Sequence, residues 1–164
     1  MGIGFVAMAT GTPATKLLKS AGIEFTEHEY SHDPNSTSFG LEAAEKLGVD
    51  PNRVFKTLVA NVDESFAVAI VPVNQQVSLK ILSRTLGAKR ATMADPALAA
   101  RLTGYVVGGI SPLGQKRLLT TVIDESAKQF ETILVSGGRR GFDIELSPND
   151  LADLLSANFA EIAS

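Results

Sequence analysis

Val54-Phe-Lys-Thr-Leu-Val-Ala-Asn-Val-Asp-Glu-Ser-Phe-Ala-Val-Ala-Ile-Val-Pro-Val73 is the stretch on which the fold reading turns. Two runs rich in β-branched residues, Val54–Asn61 and Ser65–Val73, flank Val62-Asp-Glu and predict a β-hairpin. Working outward, Thr12-Pro13 starts a short helix that Gly22 stops, a cap residue followed by proline at the first helical position. Phe25–Tyr30 alternates like a strand, His32–Ser38 is a loop of turn formers, and residues 39–47 read as a helix closed by Gly48. Downstream, Ser78 caps a basic helix ending at Gly87, and Asp95-Pro96 caps another running to about Arg101. Tyr105–Val107 is a β-prone run. Thr120–Asp124, Thr132–Ser136 and Phe142–Leu146 read as strands, the last two joined by a turn at Gly137-Gly-Arg-Arg-Gly141. Ser147-Pro148 caps the final helix. Short helices sit between strands without a strict βαβ beat. The expectation is therefore an α/β single domain with a curved, mixed, barrel-like β-sheet flanked by short helices.

The 164 residues fit one domain with one core, and the 45% hydrophobic and 20% charged fractions are ordinary for a globular fold. There is no cysteine, which excludes disulfides, thiolate catalysis and cysteine-ligated zinc, and agrees with a cytoplasmic setting. No apolar run approaches the roughly 20 residues that span a bilayer, so no membrane partner is expected. Residues 1–10 lack the positive start of a signal peptide. The net charge of −3 argues against indiscriminate nucleic-acid binding. Its distribution is uneven: Lys80, Arg84, Lys89, Arg90, Arg101, Lys116 and Arg117 fall between positions 80 and 117 against a single acid, Asp95. Such a segment suits phosphate contact at one place, or equally a set of solvated helix faces.

Gly108 and Gly109 in Tyr105-Val-Val-Gly-Gly-Ile-Ser-Pro-Leu-Gly114 can bring backbone N–H groups close to a negative oxygen, or simply make a turn. Other chemistry is missing. His28 and His32 are four apart, but across a strand end and a proline-containing loop, so they read as structural or surface residues and not as metal ligands. Gly109–Arg117 fails as a phosphate-binding P-loop, because Arg117 stands where a magnesium-holding Ser or Thr belongs. Asp143 and Glu145 share a strand face and read as a surface pair or polar site lining. The residues thus offer ammonium and guanidinium groups, hydroxyls and glycine amides, with no evident nucleophile, metal or cofactor.

Thr12-Pro-Ala14, Tyr30-Ser-His-Asp-Pro34, Ser38-Phe-Gly40, Val54-Phe-Lys-Thr-Leu58, Ala94-Asp-Pro96, Gly104–Lys116 and Ser136–Leu146 occur in order and together resemble one family. That family is the YbaK/ProX/EbsC-type aminoacyl-tRNA editing domains, also found inserted in bacterial prolyl-tRNA synthetases. The chain is most similar to the stand-alone YbaK subfamily, the Cys-tRNA(Pro) deacylases. The resemblance covers residues 12–164 and leaves residues 1–11 as an extension expected to be flexible. It implies an enzyme that clears cysteine misattached to tRNA(Pro) in trans, a second sieve where binding alone discriminates poorly between small side chains. The resemblance further implies that Cys-tRNA(Cys) is a second candidate substrate and that the substrate's own thiol attacks the ester, as in that subfamily, which would account for the missing nucleophile.

By this resemblance Lys56 holds the phosphate or ribose at the tRNA 3′ end. The Gly108 amide faces the developing oxyanion, and Gly109 and Ile110 shape that wall. Thr57 and Ser136 offer hydrogen bonds, Tyr30 and Phe39 flank the terminal adenosine or amino acid, and Asp143 orders the pocket. Lys80, Arg84, Lys89, Arg90, Lys116 and Arg117 are weaker candidates for tRNA contact. The residues also allow bland roles: Tyr30 and Phe39 as core, Asp143 as structural. Lys56 is set apart, because a charge inside an otherwise apolar run usually has a reason. The partners implied are mischarged tRNA and a transient complex with prolyl-tRNA synthetase. Two other functions stay open: a deacylase for another small amino acid, such as Ala-tRNA(Pro), using water, and a non-catalytic module for tRNA ends or a synthetase.

Overall fold

The structure, a computed structural model, describes residues 11–164. The proposed extension therefore lies almost wholly outside the described residues. Helix α1 (Pro13–Ala21) starts where Thr12 and Thr15 cap one another reciprocally, and it ends at Gly22 with φ 70°. Strand β1 (Thr26–Glu29) and helix α2 (Phe39–Leu47) follow, the latter ended by Gly48. The hairpin is present as β2 (Phe55–Val62) and β3 (Ser65–Pro72), with Asp63 and Glu64 between them. Asp63 takes φ 52°, which a short polar side chain tolerates, and its carboxylate accepts the backbone N–H groups of Lys89 and Arg90. Next come α3 (Leu79–Thr85), β4 (Ala91–Met93), α4 (Pro96–Thr103), β5 (Thr120–Asp124), β6 (Ile133–Arg139), β7 (Phe142–Leu146), α5 (Pro148–Leu155) and β8 (Asn158–Ala160). Ser78 and Ser147 cap α3 and α5 as expected, accepting from Ile81 and Asp150 N–H.

Strands β4-β2-β3-β5-β8 form one sheet and β1-β7-β6 another. β3 lies at the centre of the larger sheet, antiparallel to β2 and parallel to β5. It is buried from Ala67 to Pro72, which explains its unbroken apolar run: both faces are covered. The mixed α/β class is as expected, but the sheets do not close into a barrel. Among the described residues one bridge, Val54 to Leu134, joins the start of β2 to the edge strand β6, while the edge strands β1, β4 and β8 pair on one side only.

Two local expectations change. Tyr105–Val107 is not strand-like. Tyr105 is buried and its hydroxyl donates to Leu113 O at 2.6 Å, while Val106 and Val107 are 60% and 39% exposed in a turn. In the 132–146 hairpin the glycines belong to the strand. β6 runs to Arg139 with an irregularity after Ser136, Gly138 has φ 112°, and only Arg140-Gly141 makes the turn.

Candidate active site

A cleft of about 440 Å³ opens where the start of β2, the N-terminus of α2, β7 and the glycine turn converge. Lys56 and Thr57 reach it from β2, Phe39 from α2, Tyr30 from the end of β1, Ser136 and Asp143 from the β6–β7 pair, and Gly108 and Ile110 from the turn. Eight of the nine cleft residues expected from the sequence are thus brought together. The ninth, Gly109, is not among the lining residues. It is buried, its N–H closes the turn on Val106 O, and a Cβ there would meet the Arg139 backbone at 2.8 Å. Glycine at 109 allows close passage of the chain's own backbone.

Two polar groups of this cleft, the Lys56 ammonium and the Thr57 hydroxyl, stand apart from the others. Among the described residues Lys56 makes no ion pair, and burial pushes its ammonium pKa down. The Thr57 hydroxyl is buried without a hydrogen-bond partner. Asp143 is 6% exposed, and burial raises its carboxyl to about 7. Tyr30 is pushed up to about 12, first by burial and then by the charges of Asp143 and Glu42. Ser136 is partly engaged, accepting the Gly138 N–H at 3.2 Å. The Phe39 ring lies between His32, at 5.6 Å, and the Arg140 guanidinium, at 4.9 Å. Gly108 takes φ 88° and packs so closely that a Cβ would touch Phe39.

Several features went unread in the sequence. Leu41, Met93 and Val107 are exposed large apolar residues that line the same cleft and give its mouth an apolar rim. No periodicity marks them, because they come from three unrelated segments. Gly40 also lines it, and a Cβ there would run into Val73 at 2.3 Å.

The histidines are structural, as expected: His28 pairs with Glu145 at 2.8 Å and His32 with Glu42 at 2.7 Å. Among the described residues no three His, Asp or Glu side chains gather as a metal site. Nor is any helix there long and apolar enough to cross a membrane. Lys80, Arg84, Lys89, Arg90, Lys116 and Arg117 are all exposed, and none lines the cleft. Arg90 and Phe66 border a separate depression at the far end of the β2–β3 hairpin, and Arg117 sits 5.9 Å from the Phe66 ring.

The sequence pattern of the aminoacyl-tRNA editing domain matches residues 33–154, a span that includes most of the cleft. The chain belongs to the aminoacyl-tRNA editing domain family. EbsC of Enterococcus faecalis, which carries the provisional name Cys-tRNA(Pro)/Cys-tRNA(Cys) deacylase, is 35% identical over 154 residues, 93% of each chain. A proline–tRNA ligase of Thermosipho melanesiensis is 25% identical over 142 residues, which is 82% of this chain and 25% of that enzyme. A crystal structure described provisionally as a trans-editing enzyme for prolyl-tRNA synthetase shares the fold, with a TM-score of 0.79 at 23% identity over 93% of this chain and 95% of that one. The two-sheet fold of this chain is thus that of the editing domain.

Proposed function

We propose that this editing domain is a deacylase that removes cysteine misattached to tRNA(Pro), and that the substrate's own sulfur breaks the ester. One observation carries the reading: an unpaired ammonium, an unsatisfied hydroxyl and a glycine amide share a cleft whose lining holds no histidine or cysteine. Unsatisfied polar groups in a native fold ask for a partner, and here the partner is the ligand. The volume is that of a small-molecule site, within the usual range of about 300–1,000 Å³.

In this reading the Lys56 ammonium binds phosphate or ribose at the tRNA 3′ end, with Thr57 and Ser136 donating hydrogen bonds beside it. Tyr30 and Phe39 flank the terminal nucleoside or amino acid, and the apolar rim excludes water. The substrate sulfur attacks the ester carbonyl carbon. A C–S bond forms, the C–O bond to ribose breaks, the thiol proton ends on the ribose oxygen, and a cyclic thiolactone leaves. The Gly108 N–H stabilises the negative charge that builds on the carbonyl oxygen. The chain's task is orientation and electrostatics, worth many kcal/mol when the attacking group is already in the substrate. The EbsC name supports the cysteine substrate, and the proline–tRNA ligase match supports a transient complex with prolyl-tRNA synthetase.

One observation favours a second reading. A buried carboxyl raised to about 7 is suited to accept a proton from water, so Asp143 can serve a hydrolase acting on an amino acid without a thiol, such as Ala-tRNA(Pro). A panel of Cys-, Ser- and Ala-charged tRNA(Pro), with Cys-tRNA(Cys), separates the two. Thiol assistance predicts loss of the cysteine ester alone, with Ser-tRNA(Pro) surviving. Equal loss of Cys- and Ser-charged tRNA(Pro) would replace it with water attack, and tRNA binding without cleavage would leave only a binding module.

A further inference from the structure

The turn that presents Gly108 is held from outside the cleft lining. Val106 O accepts the Gly109 N–H at 2.9 Å, and Gly108 has φ 88°. These are the marks of a type II β-turn over Val106–Gly109. A type I turn over the same four residues differs mainly in that the central peptide, Val107–Gly108, is turned over. Glycine at 108 accepts either form. Because a trans peptide is planar, its C=O and N–H point in opposite directions. The direction of the Val107 carbonyl therefore sets that of the Gly108 N–H.

Arg140 holds that carbonyl. Its Nε donates to Val107 O at 2.9 Å, while its guanidinium lies 4.9 Å from the Phe39 ring centroid. A Cβ on Gly108 would come within 2.9 Å of Arg140 Nε and 2.8 Å of Phe39, so the three groups are packed in direct contact. Among the described residues the Gly108 N–H donates to no group of the chain, and Arg140 makes no ion pair. We propose that Arg140 is a positioning residue, whose bond to the Val107 carbonyl fixes the turn so that the Gly108 N–H stays free for the oxygen of the substrate ester. What that amide does rests on the deacylase reading above; the orientation of the peptide does not. Arginine suits the task because a planar guanidinium donates in its plane while stacking by its face, which an ammonium cannot do.

The test compares Arg140→Ala and Arg140→Lys with the unaltered chain. In NMR spectra, both variants should shift or broaden the Val107 carbonyl carbon and Gly108 amide signals while the remaining spectrum and the thermal melt stay in place. With Cys-tRNA(Pro), kcat should fall about 10- to 100-fold in both, somewhat less than the roughly 100- to 1,000-fold lost when an oxyanion donor is removed outright. KM should stay within about threefold, because the contact matters mainly in the transition state. Methylguanidinium added to Arg140→Ala should restore part of kcat, which a general loss of structure would not allow. Unchanged Gly108 signals in Arg140→Ala overturn the proposal whatever the activity. Shifted signals with unchanged kcat overturn its catalytic half. A chain that cleaves no aminoacyl ester refutes the deacylase reading, and the NMR comparison alone then decides whether Arg140 fixes the peptide.

Discussion

Asp143 and Glu145 sit two residues apart on β7, and strand geometry puts them on one face. Their surroundings are opposite. Glu145 is enclosed by donors: Arg53 Nη2 at 3.0 Å, His28 Nε2 at 2.8 Å and the Thr132 hydroxyl. The hydrogen bond from Thr132 leads the causes that hold its carboxyl below the usual range. Asp143 shares its space with Tyr30, Lys56, Thr57 and Ser136, and makes no side-chain hydrogen bond among the described residues. Burial alone raises its carboxyl, and no nearby cation contributes. The first cluster is complete without a ligand and fastens the segment before β2 to the β6–β7 sheet. The second leaves the Thr57 hydroxyl buried without a partner among the described residues. A polar network that satisfies itself is architecture, and one left open in a buried place marks a site.

The largest effect should come from the open side. Lys56→Ala removes a cation that makes no ion pair among the described residues, so deacylation of Cys-tRNA(Pro) should fall on the order of 100-fold or more. The melting temperature should hold or rise, because a partly desolvated charge is gone. Normal turnover in that variant would erase the distinction between the clusters. Gly109→Ala tests whether that glycine serves packing or the cleft wall. Its new Cβ meets the Arg139 backbone, so the loss should appear as about 1–3 kcal/mol of stability, from overpacking, measured by urea unfolding. Full stability with lost turnover would return Gly109 to the cleft wall.

On the closed side Glu145→Gln should cost about 1–2 kcal/mol, the worth of one or two charged hydrogen bonds at a partly exposed position. Its kcat should equal that of the unaltered chain. A large kcat loss with intact stability would mean that the knot belongs to the site after all.

Apart from the family resemblance, which singles out Asp143, the residue pattern does not separate the two carboxylates, and the reason is physical. Asp-Ile-Glu gives both the same face and the same charge, while what distinguishes them arrives from afar: Arg53 lies 92 positions from Glu145. Lys56 is legible because an ammonium within Val54-Phe-Lys-Thr-Leu-Val conflicts with its own apolar run. The hairpin and the caps of α1, α3 and α5 are legible because alternation and capping are local. β4 and β8 are not, since three-residue edge strands carry no period. Val106-Val107 reads as strand by propensity, yet β-branched residues also serve an exposed turn when a neighbouring glycine supplies the positive φ. Arg140 carries no signal of its own. Its role follows from a bond across 33 positions.

The smallest effect is also the sharpest, because the two carboxylates should respond to pH with opposite sign. Asp143 binds its proton more tightly folded, at about 7, than at its ordinary 3.8, so the folded state holds more protons in that interval. Its contribution is fully present below about pH 4 and is lost as pH rises toward about 7. Glu145 is depressed below its ordinary 4.5; it stabilises the fold above that value and loses the contribution as pH falls through its folded pKa. Urea unfolding across pH should therefore show Asp143→Asn removing a decline on the neutral side, while Glu145→Gln removes a decline on the acid side. If Asp143→Asn leaves the neutral-side slope unchanged, Asp143 is already ionised in the fold. The cleft is then wet enough to solvate a carboxylate, and the unsatisfied groups around it lose their claim on a ligand.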